Sequence, residues 1–100
     1  MADFKKAASK SEIQAGTGKT VELEGQAIAL FNVGGTFYAL SNTCAHRGGP
    51  LGEGDLAGNQ VTCPWHGWTY DVTSGNATHT AASVKTYQVK VEGDDVLVAL

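Results

Sequence analysis

This 100-residue chain predicts an all-β fold of antiparallel strands. Short strand-like runs recur along it, glycine-containing turns separate them, and no long stretch carries a helical period. With 42% hydrophobic residues, the chain can bury one modest core, so a single domain over residues 1–100 is expected.

The elements follow in order. Ser9-Lys10-Ser11-Glu12 has the serine-to-glutamate spacing of a capping box and opens either a short helical turn or a loop. Gly16-Thr17-Gly18-Lys19-Thr20 ends like a phosphate-binding loop. The pattern needs a glycine where Ile13 stands, and no strand precedes it, so a flexible turn entering the next strand is expected instead. Thr20-Val21-Glu22-Leu23 and Ala27-Ile28-Ala29-Leu30-Phe31 read as strands joined around Gly25. Gly34-Gly35 is a two-residue hairpin turn leading into Phe37-Tyr38-Ala39-Leu40. Gly58-Asn59 turns the chain back into Val61-Thr62-Cys63, and Tyr70-Asp71-Val72 leads to a turn at Ser74-Gly75-Asn76. In the last hairpin Tyr87, Val89 and Val91 share one face, Gly93-Asp94-Asp95 turns, and Val96 and Val98 return. The pattern places an antiparallel base at residues 1–43 and 73–100, with a small lobe at 44–72 inserted between its halves.

Chemistry concentrates in that lobe. Cys44-Ala45-His46 and Cys63-Pro64-Trp65-His66 use both cysteines and two of the three histidines, with sixteen residues between His46 and Cys63. A soft thiolate beside an imidazole, twice over, points to a transition metal. Zinc fingers group cysteines with cysteines and histidines with histidines, so mixed pairs are the wrong grouping for them. A [2Fe–2S] unit with two thiolates on one iron and two imidazoles on the other suits two loops that each supply one of each.

The surrounding residues, Cys44-Ala45-His46-Arg47-Gly48-Gly49-Pro50-Leu51 and Cys63-Pro64-Trp65-His66-Gly67-Trp68-Thr69-Tyr70-Asp71, closely resemble the two cluster-binding loops of Rieske proteins. The resemblance is to the soluble Rieske-type ferredoxins, and it extends to the closing Tyr-x-Val-x-Val-x-Gly-Asp segment. It implies the Rieske fold, a base with an inserted cluster-binding lobe, and one [2Fe–2S] cluster per chain ligated by Cys44, His46, Cys63 and His66. Neutral imidazoles in place of two thiolates leave the oxidised core formally uncharged, so adding an electron costs less. Such centres work at about −150 to +300 mV, against roughly −400 mV for plant-type ferredoxins. The resemblance further implies that the electron resides on the histidine-ligated iron, with the outer edges of His46 and His66 near the surface.

Departures from the respiratory branch place the chain in the low-potential class. Gly49 and Trp65 stand where that branch has disulfide-forming cysteines, and Trp68 stands where its serine donates to a bridging sulfide. Tyr70 does match the tyrosine that bonds to a cysteine sulfur there. No proline follows Pro64, although many relatives cover the cluster with a third, proline-containing loop; residues 76–83 are the candidates for that cover.

The other signals have plainer readings. His79 has no ligand-type neighbour at a suitable spacing and reads as a surface or edge histidine. Trp68 reads as packing, and Trp65 as packing or partner contact. Gly48, Gly49 and Gly67 let backbone amides approach sulfur. Arg47, Glu53 and Asp55 read as solvated charge. A net charge of −3 with its acids spread along the chain suggests no nucleic-acid or basic membrane face. No apolar stretch reaches membrane-spanning length or forms a signal h-region, so a cytoplasmic protein is expected. Two cysteines, both assigned to metal, agree with a reducing compartment.

The function implied is one-electron transfer from a flavin-containing reductase to a terminal oxygenase or other redox enzyme, with no substrate chemistry in this chain. Ring-hydroxylating oxygenases add a mononuclear iron held by two histidines and a carboxylate, and only His79 remains here after the cluster is served. The alternatives are the small Rieske-like subunit of a nitrite reductase or another multicomponent oxidoreductase, and a structural zinc module.

Overall fold

The structure, a computed structural model, describes residues 4–42, 50–64, 67–78 and 82–99. Their strands are β1 (Phe4–Ser9), β2 (Thr17–Leu23), β3 (Gln26–Val33), β4 (Thr36–Ser41), β5 (Asp55–Ala57), β6 (Gln60–Thr62), β7 (Thr69–Asp71), β8 (Thr86–Glu92) and β9 (Asp95–Ala99). Single 3-10 turns lie at Lys10–Glu12 and Leu51–Glu53. The predicted all-β class holds.

A six-stranded antiparallel sheet has the order β1-β9-β8-β4-β3-β2, and a three-stranded one has the order β5-β6-β7. β1 also approaches β2, so the larger sheet curls around its own core. Leu23 pairs with Gln26 across Glu24-Gly25, and Val33 with Thr36 across Gly34-Gly35. Both residues of the second turn have positive φ, 59° and 98°, a conformation glycine adopts without steric cost.

β3 explains why its sequence is continuously apolar. Ile28 and Leu30 enter one buried cluster with Val21, Phe37, Val96 and Val98, while Ala29 and Phe31 enter another with Leu51, Val61, Cys63 and Tyr70. Both faces of the strand are dry, which a half-exposed strand's alternation would not provide. The second cluster joins the small sheet to the base, so the site-bearing lobe shares a core with its support.

Three local readings are refined. Ser9–Glu12 forms the helical turn: the Ser9 amide donates to Glu12 Oε1 at 2.9 Å, and Lys10–Glu12 completes the 3-10 geometry. The expected flexible turn at Gly16–Lys19 is shorter than the sequence suggested, because β2 already begins at Thr17. Gly18 lies under the Phe31 ring, where a β-carbon would come within 2.6 Å of a ring atom, so close packing accounts for this glycine. In the last hairpin the register pairs Val91 with Val96 and Val89 with Val98, yet Val91 is 41% exposed. β4 pairs with β8 only at Thr86 and Tyr87, so Val91 lies beyond its cover.

After β7 the chain stays with the small sheet. Ala77 bridges to Tyr70, and Asn76 to Ser83. The Thr78 amide donates to the Thr69 carbonyl at 3.0 Å, and the two threonine hydroxyls hydrogen-bond to each other.

Candidate metal centre

The second loop begins where β6 ends. Cys63, its first residue, is 1% exposed. Its amide donates to the Trp68 carbonyl at 2.7 Å and its carbonyl accepts from the Gly67 amide at 3.1 Å, which closes the loop at the neck. Gly67 has φ +73°, the left-handed conformation in which a side chain would be strained. Cys63 packs in the cluster shared by the two sheets, with Trp68 against its margin. A thiolate there is compatible with burial when a metal neutralises it, so this residue fits the thiolate half of a [2Fe–2S] donor set.

The first loop departs after Asn42 and returns at Pro50. Asn42 is a buried polar residue, 9% exposed, and it grips both ends. Its amide donates to the Ala27 carbonyl at 3.1 Å, and its carbonyl accepts from the Leu51 amide at 2.9 Å. Its Oδ1 accepts from the Gly52 amide at 2.7 Å and from the Thr20 hydroxyl at 3.1 Å. Gly52 is pressed on β2 so closely that a β-carbon would meet the Thr20 nitrogen at 2.8 Å.

The two loops spring from adjoining roots. Gly54, on the return limb of the first, abuts the carbonyl of Thr62, the residue before Cys63. The next residue, Asp55, pairs with Thr62 across the sheet. The limb leaving the first loop is therefore fastened to the strand that delivers Cys63.

Of the predicted ligands, Cys63 is placed, whereas Cys44, His46 and His66 lie outside the described residues, as do Arg47, Gly48, Gly49, Trp65 and His79. Consistent with that, no three His, Cys, Asp or Glu side chains converge among the described residues. Sequence reasoning missed Asn42. Nothing local to Asn42 signals its role, because its partners lie on β2 and beyond the loop. Among the described residues, the four ion pairs Lys5–Glu24, Lys6–Asp95, Lys19–Glu12 and Lys90–Glu92 all lie in the base. The described lobe residues 50–64 and 67–72 carry Glu53, Asp55 and Asp71 and no basic side chain.

The family model for the Rieske [2Fe-2S] domain matches residues 3–98. The ferredoxin component of the naphthalene 1,2-dioxygenase system of Pseudomonas aeruginosa is 37% identical over 91 residues, covering 89% of this chain and 88% of that protein. Among solved structures, the ferredoxin of carbazole 1,9a-dioxygenase from Nocardioides aromaticivorans superposes with a TM-score of 0.91 at 26% identity, covering 98% of each chain. A chain from a complex of reduced oxygenase and oxidised ferredoxin in carbazole 1,9a-dioxygenase superposes with a TM-score of 0.88 at 32% identity, covering 96% of this chain and 92% of that one. With the family match running from one end of the fold to the other and the buried Cys63 at the root of its loop, the chain belongs to the Rieske [2Fe-2S] domain family.

Proposed function

We propose that this chain is a one-electron carrier, a single domain whose lobe at about residues 44–72 holds one [2Fe–2S] cluster through Cys44, His46, Cys63 and His66. The observation that carries the reading is the placement of Cys63, buried at the end of β6 beside the return limb of the first loop. When bound, the cluster supplies a one-electron couple at a potential raised by its two imidazoles. The protein's part is to exclude water from Cys63, to hold the roots of both loops on a shared core, and to present His46 and His66 to a partner.

The relatives indicate the partners. One is named as the ferredoxin component of a dioxygenase system, and one solved neighbour is described in complex with its oxygenase. We infer a flavin-containing reductase as donor and a terminal oxygenase as acceptor, each exchange moving one electron. The chain itself performs no substrate chemistry, since His79 alone remains for any second metal. No described helix is long and apolar enough to cross a membrane, and the assignment of both cysteines to metal favours the cytoplasm.

Rapid-mixing spectroscopy tests the function. The purified protein should be reduced by a flavin reductase with a nicotinamide donor and reoxidised by an oxidised oxygenase that accepts the electron, one electron per chain at each step. A colourless protein that carries one zinc and exchanges no electron would make it a structural module instead.

A further inference from the structure

Asn42 is a buried polar side chain to which the ligand reading assigns no task. Its oxygen accepts two hydrogen bonds, from Thr20 on β2 and from Gly52 beyond the first loop, and the residue's backbone adds two more, to the Ala27 carbonyl of β3 and from the Leu51 amide. The bond from the Leu51 amide closes the loop between its two ends, and the bond from the Gly52 amide repeats that closure through the side chain. The Thr20 hydroxyl then ties the closed neck to the six-stranded sheet. Gly52 allows no slack in this arrangement, for its α-carbon faces Thr20 without room for a β-carbon.

From this geometry we infer that Asn42 is a positioning residue for the first ligand loop, fixing the span between its ends and so the hold of that loop on the cluster and the cluster's potential. The inference rests on the assignment of Cys44 and His46 as ligands. The physical ground is that groups around a metal's direct ligands fix their orientation, and their loss typically costs about 10–100-fold in metal affinity. A carbonyl oxygen accepting two hydrogen bonds inside the fold cannot be exchanged for a methyl group without leaving the Gly52 amide and Thr20 hydroxyl unpaired. The neck would then be closed by the Leu51 amide alone and no longer tied to Thr20 through the side chain, while the sheet beneath it, which has its own ladder, stays formed.

The test compares wild type, Asn42→Ala, Thr20→Val and the double variant, each purified with its cluster. The rate of iron loss to a chelator, the reduction potential and the EPR spectrum of the reduced state are read beside the thermal unfolding of the whole chain. Asn42→Ala should lose iron about 10–100-fold faster than wild type and show a shifted potential and spectrum. Thr20→Val should show the same changes to a smaller extent. The double variant should lose iron no faster than Asn42→Ala, because both substitutions act through one contact. Variants that unfold more readily yet keep wild-type iron retention, potential and spectrum would reduce Asn42 to an ordinary structural residue and overturn the proposal. Should Asn42→Ala fail to fold, Thr20→Val decides: unchanged properties there overturn the proposal equally. A wild-type protein without a [2Fe–2S] signature overturns the ligand assignment and this proposal together, whereas a protein that shows the signature but is indifferent to both substitutions overturns this proposal alone.

Discussion

Gly54 abuts Thr62 so closely that a β-carbon built on the glycine would fall inside the contact distance of the Thr62 carbonyl oxygen. This one approach fastens the return limb of the first loop to the strand that ends at Cys63. Relief by side-chain rotation is closed, because the obstructing atom belongs to the backbone.

Gly54→Ala is therefore expected to destabilise the fold by about 1–3 kcal/mol, the usual cost of overpacking, and to speed cluster loss. Gly25→Ala meets no atom within 4 Å and suffers only from its φ of +80°, so it should leave cluster retention unchanged. Denaturant melts with parallel chelation assays compare the two.

Cys63→Ser is expected to abolish the visible colour and to loosen the small sheet, since metal-binding energy at such a site is also folding energy. Amide exchange resolves where the loosening falls. Val61 and Tyr70, wholly buried in the cluster around Cys63, should lose protection, while Ile28 and Val98 of the base keep theirs.

Potential tuning should divide between Trp68 and Tyr70. Trp68 contributes its backbone carbonyl to the neck of the second loop, and its indole stands where the respiratory branch has a donor hydroxyl. Trp68→Ser should raise the potential if packing survives. Tyr70 is wholly buried in the same apolar cluster as Cys63, and Tyr70→Phe should lower it if its hydroxyl bonds to the ligand sulfur. A hydrogen bond worth about 1–2 kcal/mol corresponds to several tens of millivolts in a one-electron couple, where roughly 59 mV is tenfold. Voltammetry of the three proteins measures both signs.

Acid stability should depend on Glu12. The Lys19 ammonium, bonded to Glu12 Oε2 at 2.7 Å, and then the Ser9 amide hold this carboxyl below its ordinary value of 4.5. A carboxyl whose pKa is depressed by folding contributes stability above its unfolded pKa and loses it as the pH falls through the folded one. The stability gap between wild type and Glu12→Gln should thus be constant near neutrality and close on acidification below 4.5. The carboxylate is solvent-exposed, so the gap should also shrink with added salt.

Local chemistry made much of this legible in the sequence. Gly34-Gly35 announces its hairpin because few residues tolerate two successive positive φ values, and the valines of β8 and β9 alternate as a paired ribbon must. The Cys-x-His and Cys-x-x-His loops announce their chemistry because few sites require that donor mixture. Tertiary contacts were not legible. Gly18 looked like part of a turn because nothing local reveals the Phe31 ring above it. Asn42 was silent because its partners, Thr20 and Gly52, lie 22 and 10 residues away. Val91 carried the right alternation, but its exposure depends on where β4 stops pairing.

The proposed [2Fe–2S] cluster has two thiolate and two imidazole ligands. Pulsed EPR of the chemically reduced protein reads that donor set, because nitrogen bonded to the reduced iron imprints its hyperfine coupling on the electron spin. The expected result is a half-integer-spin signal with two strong nitrogen couplings, both lost or altered when His46 or His66 is replaced. An EPR-silent protein, or a reduced cluster with no directly bonded nitrogen, would contradict it.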